Sequence, residues 1–470
     1  MRRISGWAAA LILALAPLAY AQTPPPGLPA MPAAQTNPEP SATGSGTPLQ
    51  PDTHPLGGAY LSTLGTAIEG RNYFVPEFSI GEAATNNASY VSGSSNQWVA
   101  ATLPEADLKL VHSSRRNEFS LNYLGGGYIY NNGRYTKFDS SFHTLGLSDA
   151  IQFRRLTLSL GDFFDYLPSG SFGIGGIGGI GGLGSSPYSL PGSGGLGGLN
   201  PMFMPNQSIL TSQIGTFNNS ALIQAQYLLS ARTSVTAAGS YGTLQSRGTL
   251  AGFLNENNAM ASGSVEHALS PENTVGASYS YMTFHYVGLP EAFSANSVNF
   301  NYGRKITGRL ALQLSGGPEL IRQRVGAASS TQTLASGFGD LTYALRRDSF
   351  RATASRYATG GSGILAGATT NLVSGSWSRQ WTRMWSSEFT GGYSRNSGLA
   401  LSGASSRYNY GYASLEVKRV LGRYVSVYAN YSYQRQLTNA GPCRTSVCAG
   451  NLTIEYLGAG LIFTPRPFGL

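Results

Sequence analysis

Few residues of this chain have the types and spacing that enzyme chemistry needs. The five histidines, His54, His112, His143, His267 and His285, are scattered and do not show the spacing of a metal site. The sequence contains no G-x-S-x-G nucleophile elbow, no H-E-x-x-H motif and no Walker motif. We therefore expect no catalytic, cofactor-binding or metal-binding residues and do not expect an enzyme.

One formal match to a nucleotide-binding motif lies in a glycine-rich stretch. Residues 173–178 match the pattern G-x-G-x-x-G. This motif binds a dinucleotide only where it joins a strand to a helix within a βαβ unit, and no helical pattern follows it here. The match is an accident of low complexity, so no dinucleotide site is predicted.

The N-terminal residues 1–21 have the features of a secretory signal peptide. Basic residues precede the apolar core at 8–15, and residues 19–21 form a small-x-small cleavage site. Exported chains pass through an oxidising compartment, so Cys443 and Cys448 are predicted to form a small local disulfide. Residues 22–71 are predicted to form a proline-rich flexible linker and lead-in.

Composition excludes several classes of protein. Only 11% of the 470 residues are charged, against about 25% in an average soluble domain. After the signal no apolar run approaches the roughly 18 residues of a transmembrane helix. The formal net charge is +9, but Lys and Arg gather at short turns instead of on a helix, so nucleic-acid binding is not expected.

Apolar and polar residues alternate along most of the chain after residue 71. Residues 425–433 place Val425, Val427 and Ala429 on one face and polar residues on the other, which is the period of a strand. Eighteen such segments are predicted, at 72–82, 98–112, 117–130, 134–152, 156–167, 217–229, 233–246, 257–269, 273–286, 293–304, 308–320, 333–346, 349–359, 366–380, 383–395, 405–419, 423–436 and 450–464.

The connections between these segments alternate in length. Short turns are predicted near 114–116, 153–155, 230–232, 270–273, 305–308, 346–348, 380–383 and 420–423. Longer connections lie between them, including 83–97, 168–216, 321–332 and 437–449. Short periplasmic turns and longer extracellular loops are typical of outer-membrane barrels. We predict an all-β fold, a transmembrane antiparallel β-barrel of about 18 strands (16–20) over residues 72–470.

A barrel in lipid must keep charged side chains on its inner face. The polar phase of the predicted strands carries ionisable residues that we expect to face the lumen, namely Asp107, Lys109, Glu118, Glu266, Asp340, Glu388, Glu416, Lys418 and Glu455. Tyrosines near the long-loop ends of strands are predicted to join an aromatic belt at the lipid interface, namely Tyr130, Tyr166, Tyr241, Tyr281, Tyr286, Tyr357, Tyr393, Tyr431 and Tyr433. The cations at the short turns fit either anchoring at lipid phosphates or a vestibule that favours anions.

The chain resembles bacterial outer-membrane barrels of the porin-like kind. The segment 73–81 is similar to the first strand of poorly characterised porin-like barrels of environmental Gram-negative bacteria. The resemblance implies location in the cell outer membrane and assembly by the barrel-assembly machinery. Such barrels commonly end in a strand with a terminal aromatic residue, a role that Phe468 and Leu470 can partly serve. Some barrels of this broad type accompany exopolysaccharide export genes.

The favoured function is a porin-like channel for passive or weakly selective diffusion of small solutes. An export conduit, for example for exopolysaccharide, and a structural barrel with a plugged lumen remain alternatives. The expected partners are outer-membrane lipid and the assembly machinery, with further copies of the chain left open and no cofactor expected. Part of the long connection 168–216 is hypothesised to enter and narrow the pore, through Ile174, Ile177, Ile180 and Leu183. The alternative is a loose surface loop.

Overall fold

The structure is a computed structural model that describes residues 72–87, 97–133, 140–167, 209, 215–246, 254–361, 363–399, 406–439, 450–466 and 468–469. The described residues form antiparallel strands of one sheet and no helix. The strands are β1 (Tyr73–Thr85), β2 (Val99–Ser113), β3 (Asn117–Tyr130), β4 (Ser140–Gln152), β5 (Leu156–Leu167), β6 (Thr216–Leu228), β7 (Thr233–Ser246), β8 (Glu256–Ser270), β9 (Asn273–Tyr286), β10 (Glu291–Thr307), β11 (Leu310–Val325), β12 (Ala328–Ala344), β13 (Asp348–Thr359), β14 (Ala368–Gln380), β15 (Trp385–Gly398), β16 (Arg407–Val420), β17 (Val425–Thr438), β18 (Leu452–Phe463) and the short β19 (Phe468–Gly469).

The sheet closes on itself because its last long strand pairs with its first. Strand β18 runs antiparallel to β1, with register from Phe78 opposite Phe463 to Thr85 opposite Tyr456. Every other long strand pairs with its neighbours in sequence. Closure pairs the first strand with the last, as a sheet in lipid requires, and only residues 328–336 of β12 among the described strands extend past the end of β13 without a strand partner on that side. The predicted antiparallel barrel of about 18 strands is confirmed.

The two faces of the barrel have the reverse of a soluble protein's polarity. On β10, Val298 and Phe300 are 54% and 63% exposed, whereas the neighbouring Asn299 and Asn301 are 2% and 0% exposed. Large apolar side chains such as Ile80 and Val373 also lie on the exposed phase. The outer face is therefore apolar and the inner face largely polar, as contact with lipid demands.

Short turns join the strands at one end of the barrel, called here the turn end, and most longer connections lie at the loop end. One predicted long connection, 321–332, is wrong. Strands β11 and β12 continue through most of it and are joined by only two residues, Gly326 and Ala327. Gly326 has φ of +59°, which glycine adopts without steric cost. The Ser- and Thr-rich sequence that follows extends as β12 instead of forming a loop.

The C-terminal strand is interrupted and then resumes. β18 ends at Phe463, and β19 pairs Phe468 with Phe74 and Gly469 with Tyr73. Between these two paired stretches, the C-terminal segment has one residue more than β1. The extra residue is a β-bulge at the proline-containing segment. Phe468 stacks on Phe74 with ring centroids 6.1 Å apart and is exposed on the outer face. The signal peptide, the linker 22–71 and residues 134–139 of the fourth predicted strand lie outside the described residues.

Candidate functional site

The inner face can be followed from strand to strand by register, because residues opposite each other in a sheet share a face. Glu388 lies opposite Glu416, Glu416 opposite Asn430, Asn430 opposite Gly458 and Gly458 opposite Ala83. Ala83 and Asn430 are buried. This phase therefore points into the barrel, and every second residue along each strand joins it.

Most of the charged residues predicted to face the lumen lie on this inward phase by register, namely Asp107, Lys109, Glu118, Glu266, Asp340, Glu388, Glu416 and Lys418. Glu455 does not. It lies opposite Tyr433 on the outward phase, between the buried inward residues Ile454 and Tyr456. The expectation that polar residues face the lumen is wrong here, because the inward-facing residues of this part of β18 are themselves apolar.

The lumen has two tiers along its axis. The loop-end half of the inner face is lined by apolar and aromatic side chains, including Leu103, Leu124, Phe142, Tyr410, Tyr412, Ile454, Phe163, Met260, Met282, Phe284, Phe293 and Ile321. The turn-end half is lined by Ser, Thr, Asn, Gln and acidic residues, such as Gln224, Ser234, Ser264, Glu266 and Asn301. Polar residues such as Asn218, Asn258 and Gln436 interrupt the apolar lining at the loop end, so the two halves differ in composition without forming complete rings.

This apolar tier explains where three tyrosines of the predicted aromatic belt lie. Tyr130, Tyr286 and Tyr357 are 6%, 5% and 3% exposed and sit on the inward phase. They line the lumen at the loop end, so their assignment to the lipid interface is wrong. Tyr241 and Tyr393, from the same predicted set, are 53% and 50% exposed and do face outward.

Acidic groups dominate the charged residues of the inner face. The register places carboxylates inward at Glu77, Glu105, Asp107, Glu118, Asp165, Glu256, Glu266, Glu291, Glu319, Asp340, Glu388 and Glu416. The inward cations on the described strands are Lys109, Lys305, Arg351 and Lys418. The sequence analysis missed six of these carboxylates, Glu77, Glu105, Asp165, Glu256, Glu291 and Glu319. Glu105 lies two residues before Asp107 on the same phase, so alternation alone could have found it.

Five of these carboxylates gather on one arc of the wall, which we call the acidic arc: Glu77, Glu105, Asp107, Glu388 and Glu416. Glu77 lies opposite Asp107 across β1 and β2, and Glu388 lies opposite Glu416 across β15 and β16. Glu105 is within electrostatic range of Asp107, Glu77 and Glu416. Like charges placed directly opposite each other in a sheet repel.

Two carboxylates on another part of the inner wall, Asp340 and Glu319, are matched by donors. Asp340 is 1% exposed, and its Oδ2 accepts from Arg351 Nε at 3.1 Å and Nη2 at 3.0 Å. Glu319 is fully buried and accepts from the backbone N–H of Ala358 at 3.3 and 3.2 Å. These groups hold neighbouring strands and loops together.

The connection between β13 and β14 folds into the mouth of the lumen. Strand β13 pairs with β12 only as far as Arg356, which lies opposite Gly337. Beyond Arg356, β13 no longer pairs with β12. Tyr286 Oη donates to the carbonyl of Gly360 at 2.9 Å, and the N–H of Leu254 donates to Gly363 at 2.7 Å. These partners lie on and beside β8 and β9, so the loop 360–367 crosses part of the mouth.

Glycine permits this inward course. Gly367 has φ of +85°, and a Cβ there would lie 3.0 Å from the ring of Phe293 on β10. At Gly360 a Cβ would collide with the carboxylate of Glu256. The loop therefore reaches inner-wall residues three or more strands away because these positions carry no side chain.

One described residue of the long β5–β6 connection also lies at the mouth. Ile209 is 1% exposed and packs with Tyr408 of β16 and with Ile364 and Leu365 of the β13–β14 loop. The residues hypothesised to narrow the pore, Ile174, Ile177, Ile180 and Leu183, lie outside the described residues, as do Cys443 and Cys448.

Cations at the turn end stack on outward-facing aromatic rings. The guanidinium of Arg379 lies 4.3 Å from the Trp381 ring centroid, and that of Arg419 lies 5.1 Å from the Trp385 ring centroid. Trp381 and Trp385 are 48% and 38% exposed on the outer side. This outward position beside aromatic rings favours anchoring at lipid phosphates over a vestibule for anions.

A closed sheet, an apolar outer band and a largely polar interior are together the design of a strand-built membrane protein. The chain therefore folds as a transmembrane β-barrel with a porin-like architecture. Among the described residues, no group of His, Cys, Asp and Glu is arranged to hold a metal ion.

No protein-family model and no curated protein matches this chain. Solved structures with a similar fold include Pseudomonas aeruginosa OpdQ, with TM-score 0.40, 11% identity and coverage of 84% of this chain and 98% of that one. Pseudomonas aeruginosa OccK2 (OpdF) in complex with glucuronate has TM-score 0.42 and 10% identity, covering 85% and 99%. Acinetobacter baumannii OccAB3 has TM-score 0.39 and 10% identity, covering 83% and 99%. Similarity this low carries no information about the solute.

Proposed function

We propose that this barrel is a water-filled channel that favours cations over anions. The observation that carries the proposal is the excess of carboxylates over Lys and Arg on the inner face, described above. A ring of fixed negative charge raises the local concentration of cations and lowers that of anions. The net charge of the whole chain, +9, would give the opposite expectation, because many of its cations lie at the turns and not in the lumen.

Unfilled polar groups on the inner face support an aqueous lumen. Gln224 Oε1, Ser234 Oγ, Ser264 Oγ and Glu266 Oε2 have no hydrogen-bond partner within the protein, and these four residues are at most 4% exposed. Buried polar groups without partners are costly unless water satisfies them. Barrels of 16–18 strands are also wide enough for an aqueous channel.

Single-channel recording in a planar bilayer with a potassium chloride gradient tests this proposal. We expect stable ohmic steps and a reversal potential on the cation-preferring side. The double variant Glu388→Gln with Glu416→Gln should move the reversal potential toward zero. Arg419→Gln, which changes an outward cation at the turn end, is the matched control and should leave it unchanged. Anion preference of the wild-type channel would overturn the proposal.

A plugged barrel is the second candidate, favoured by one observation. The loop 360–367 and Ile209 meet at the mouth, where they pack against Tyr408 and Tyr286. If a β-rich, heat-modifiable and therefore folded sample gives no current, the plugged barrel becomes the better explanation. Shortening the loop 360–367 should then restore conductance.

A further inference from the structure

The acidic arc contains two facing carboxylate pairs that the protein itself leaves without enough counter-charge. Lys109 and Lys418 are within electrostatic range of Asp107 and Glu416, respectively. They offset only part of the charge of the five carboxylates. By contrast, Asp340 has its own arginine at 3.0 Å. The arc therefore attracts further positive charge from the lumen.

The unfilled hydrogen-bonding atoms of the arc are acceptors. Asp107 Oδ1 and Glu416 Oε2 are shielded from solvent and have no hydrogen-bond partner. Asn430 lies opposite Glu416, is 4% exposed, and its Oδ1 is likewise without a partner. A ligand that fits must bring several N–H donors together with positive charge, which ammonium and guanidinium groups do.

Tyr428 lies between the two pairs. Its partner in register is Gly460, which lies opposite Gly81, so its ring can cross β18 toward β1 without meeting a side chain. A Cβ at Gly460 would lie 2.8 Å from the Tyr428 ring. The Tyr428 hydroxyl is within electrostatic range of Glu105 and Glu416 and therefore links the two halves of the arc.

The size of the arc excludes a single metal ion and favours an extended cation. Strands β17 and β18 separate β16 from β1, so the two pairs are about 14 Å apart along the wall at roughly 4.8 Å per strand. No described group of acidic residues has the arrangement of a metal site. A linear polyamine carries separate ammonium groups and can contact both pairs at once.

We propose that the acidic arc, with Asn430, is a binding site for organic polycations of the linear polyamine class inside the channel. The inference rests on the proposed function, since the ligand reaches the arc through an open lumen. It adds a substrate class to the cation preference, because a simple cation-selective pore would not distinguish a polyamine from a monovalent amine beyond the effect of charge.

Block of single-channel current tests the site with spermidine as the probe and butylammonium as the monovalent comparison. We expect spermidine to block at a much lower concentration than butylammonium. The double variant Asp107→Asn with Glu416→Gln should raise the half-blocking concentration of spermidine about tenfold, the order of one well-placed ion pair. It should change butylammonium block much less.

Glu266→Gln is the matched control, because Glu266 is an inward and buried carboxylate outside the arc. It should leave spermidine block within about twofold of wild type, since the charge it removes is remote from the site. An equal shift in this control, or equal block by both amines, would overturn the site and leave cation preference standing. If the barrel does not conduct, the channel proposal fails. Calorimetric titration of the refolded barrel and its variants with spermidine then tests the site, and absence of binding refutes it.

Discussion

The acidic arc and the wall formed by β11–β14 use the same residue type in opposite ways. On that wall, Asp340 and Glu319 are fully enclosed and each has donors, Arg351 and the Ala358 N–H. On the arc, Asp107 and Glu416 keep carboxylate oxygens without a partner. A satisfied buried carboxylate holds structure together, whereas an unsatisfied one still lacks a donor. Burial alone therefore does not separate structural from functional acids in this lumen.

The largest effect should come from removing the partner of a structural carboxylate. Arg351→Met leaves Asp340 buried without its guanidinium, and breaking a buried ion pair in this way is costly. Because the Arg351 side chain is 27% exposed and water reaches it, we expect a loss of about 2–3 kcal/mol in the free energy of unfolding. Equilibrium urea unfolding in detergent micelles measures it.

The double variant Arg351→Met with Asp340→Asn completes a cycle for this pair. It should recover much of the loss, since the uncompensated charge is gone. If the single variant costs no more than the double, Asp340 is not the structural acid that its contacts indicate.

A second and smaller effect should follow from releasing the loop at the mouth. Glu319→Leu removes the acceptor of the buried Ala358 N–H, which costs about 1–2 kcal/mol. The loop 360–367 should then lose its inward course, so we expect larger single-channel conductance and faster cleavage by external protease. Glu319→Gln keeps an acceptor and should stay near wild type. Unchanged conductance in the leucine variant would show that this loop does not narrow the channel.

Neutralising a carboxylate of the acidic arc should stabilise the barrel, whereas the changes described above destabilise it. Glu416→Gln removes one of two facing like charges, so the free energy of unfolding should rise by about 0.5 kcal/mol. Asp340→Asn, the matching change on the other wall, should lower it because it weakens a charge-assisted contact in which two guanidinium N–H groups of Arg351 donate to one carboxylate oxygen. Urea unfolding of both variants side by side decides the comparison. A loss of stability in Glu416→Gln would place this acid with the structural group.

The strands could be predicted from the sequence, but the apolar and polar halves of the lumen lining could not. Alternation is a local property, so the eighteen strands and most inward charges follow from a period of two. To decide which alternate residues face the lumen, the sequence analysis takes the polar ones as inward. That rule gives the wrong face for Glu455, because its neighbours Ile454 and Tyr456 face inward. Register between strands is needed to see that Glu388 and Glu416 are neighbours, because the residues are 28 positions apart.

The inward course of the β13–β14 loop could not be predicted for a related reason. Its sequence, Gly360 to Gly367, is typical of any exposed turn. Only the contacts with Glu256, Tyr286 and Phe293, which come from distant parts of the chain, show that the glycines serve close packing at the mouth.

The smallest expected effect concerns Glu455, the residue predicted to face the lumen that the register places on the outer face. Glu455 lies opposite Tyr433 among outward residues near the loop end, where water and lipid headgroups meet and charge is tolerated. Glu455→Gln should therefore leave the reversal potential and spermidine block unchanged, and alter the free energy of unfolding by less than about 0.5 kcal/mol. The paired measurement is Glu416→Gln under the same salt gradient. If Glu455→Gln shifted the reversal potential as much as Glu416→Gln does, both side chains would face the lumen. The pairing of β17 with β18 would then have to be shifted by one residue. Such a shift would turn every side chain of β18 to the other face.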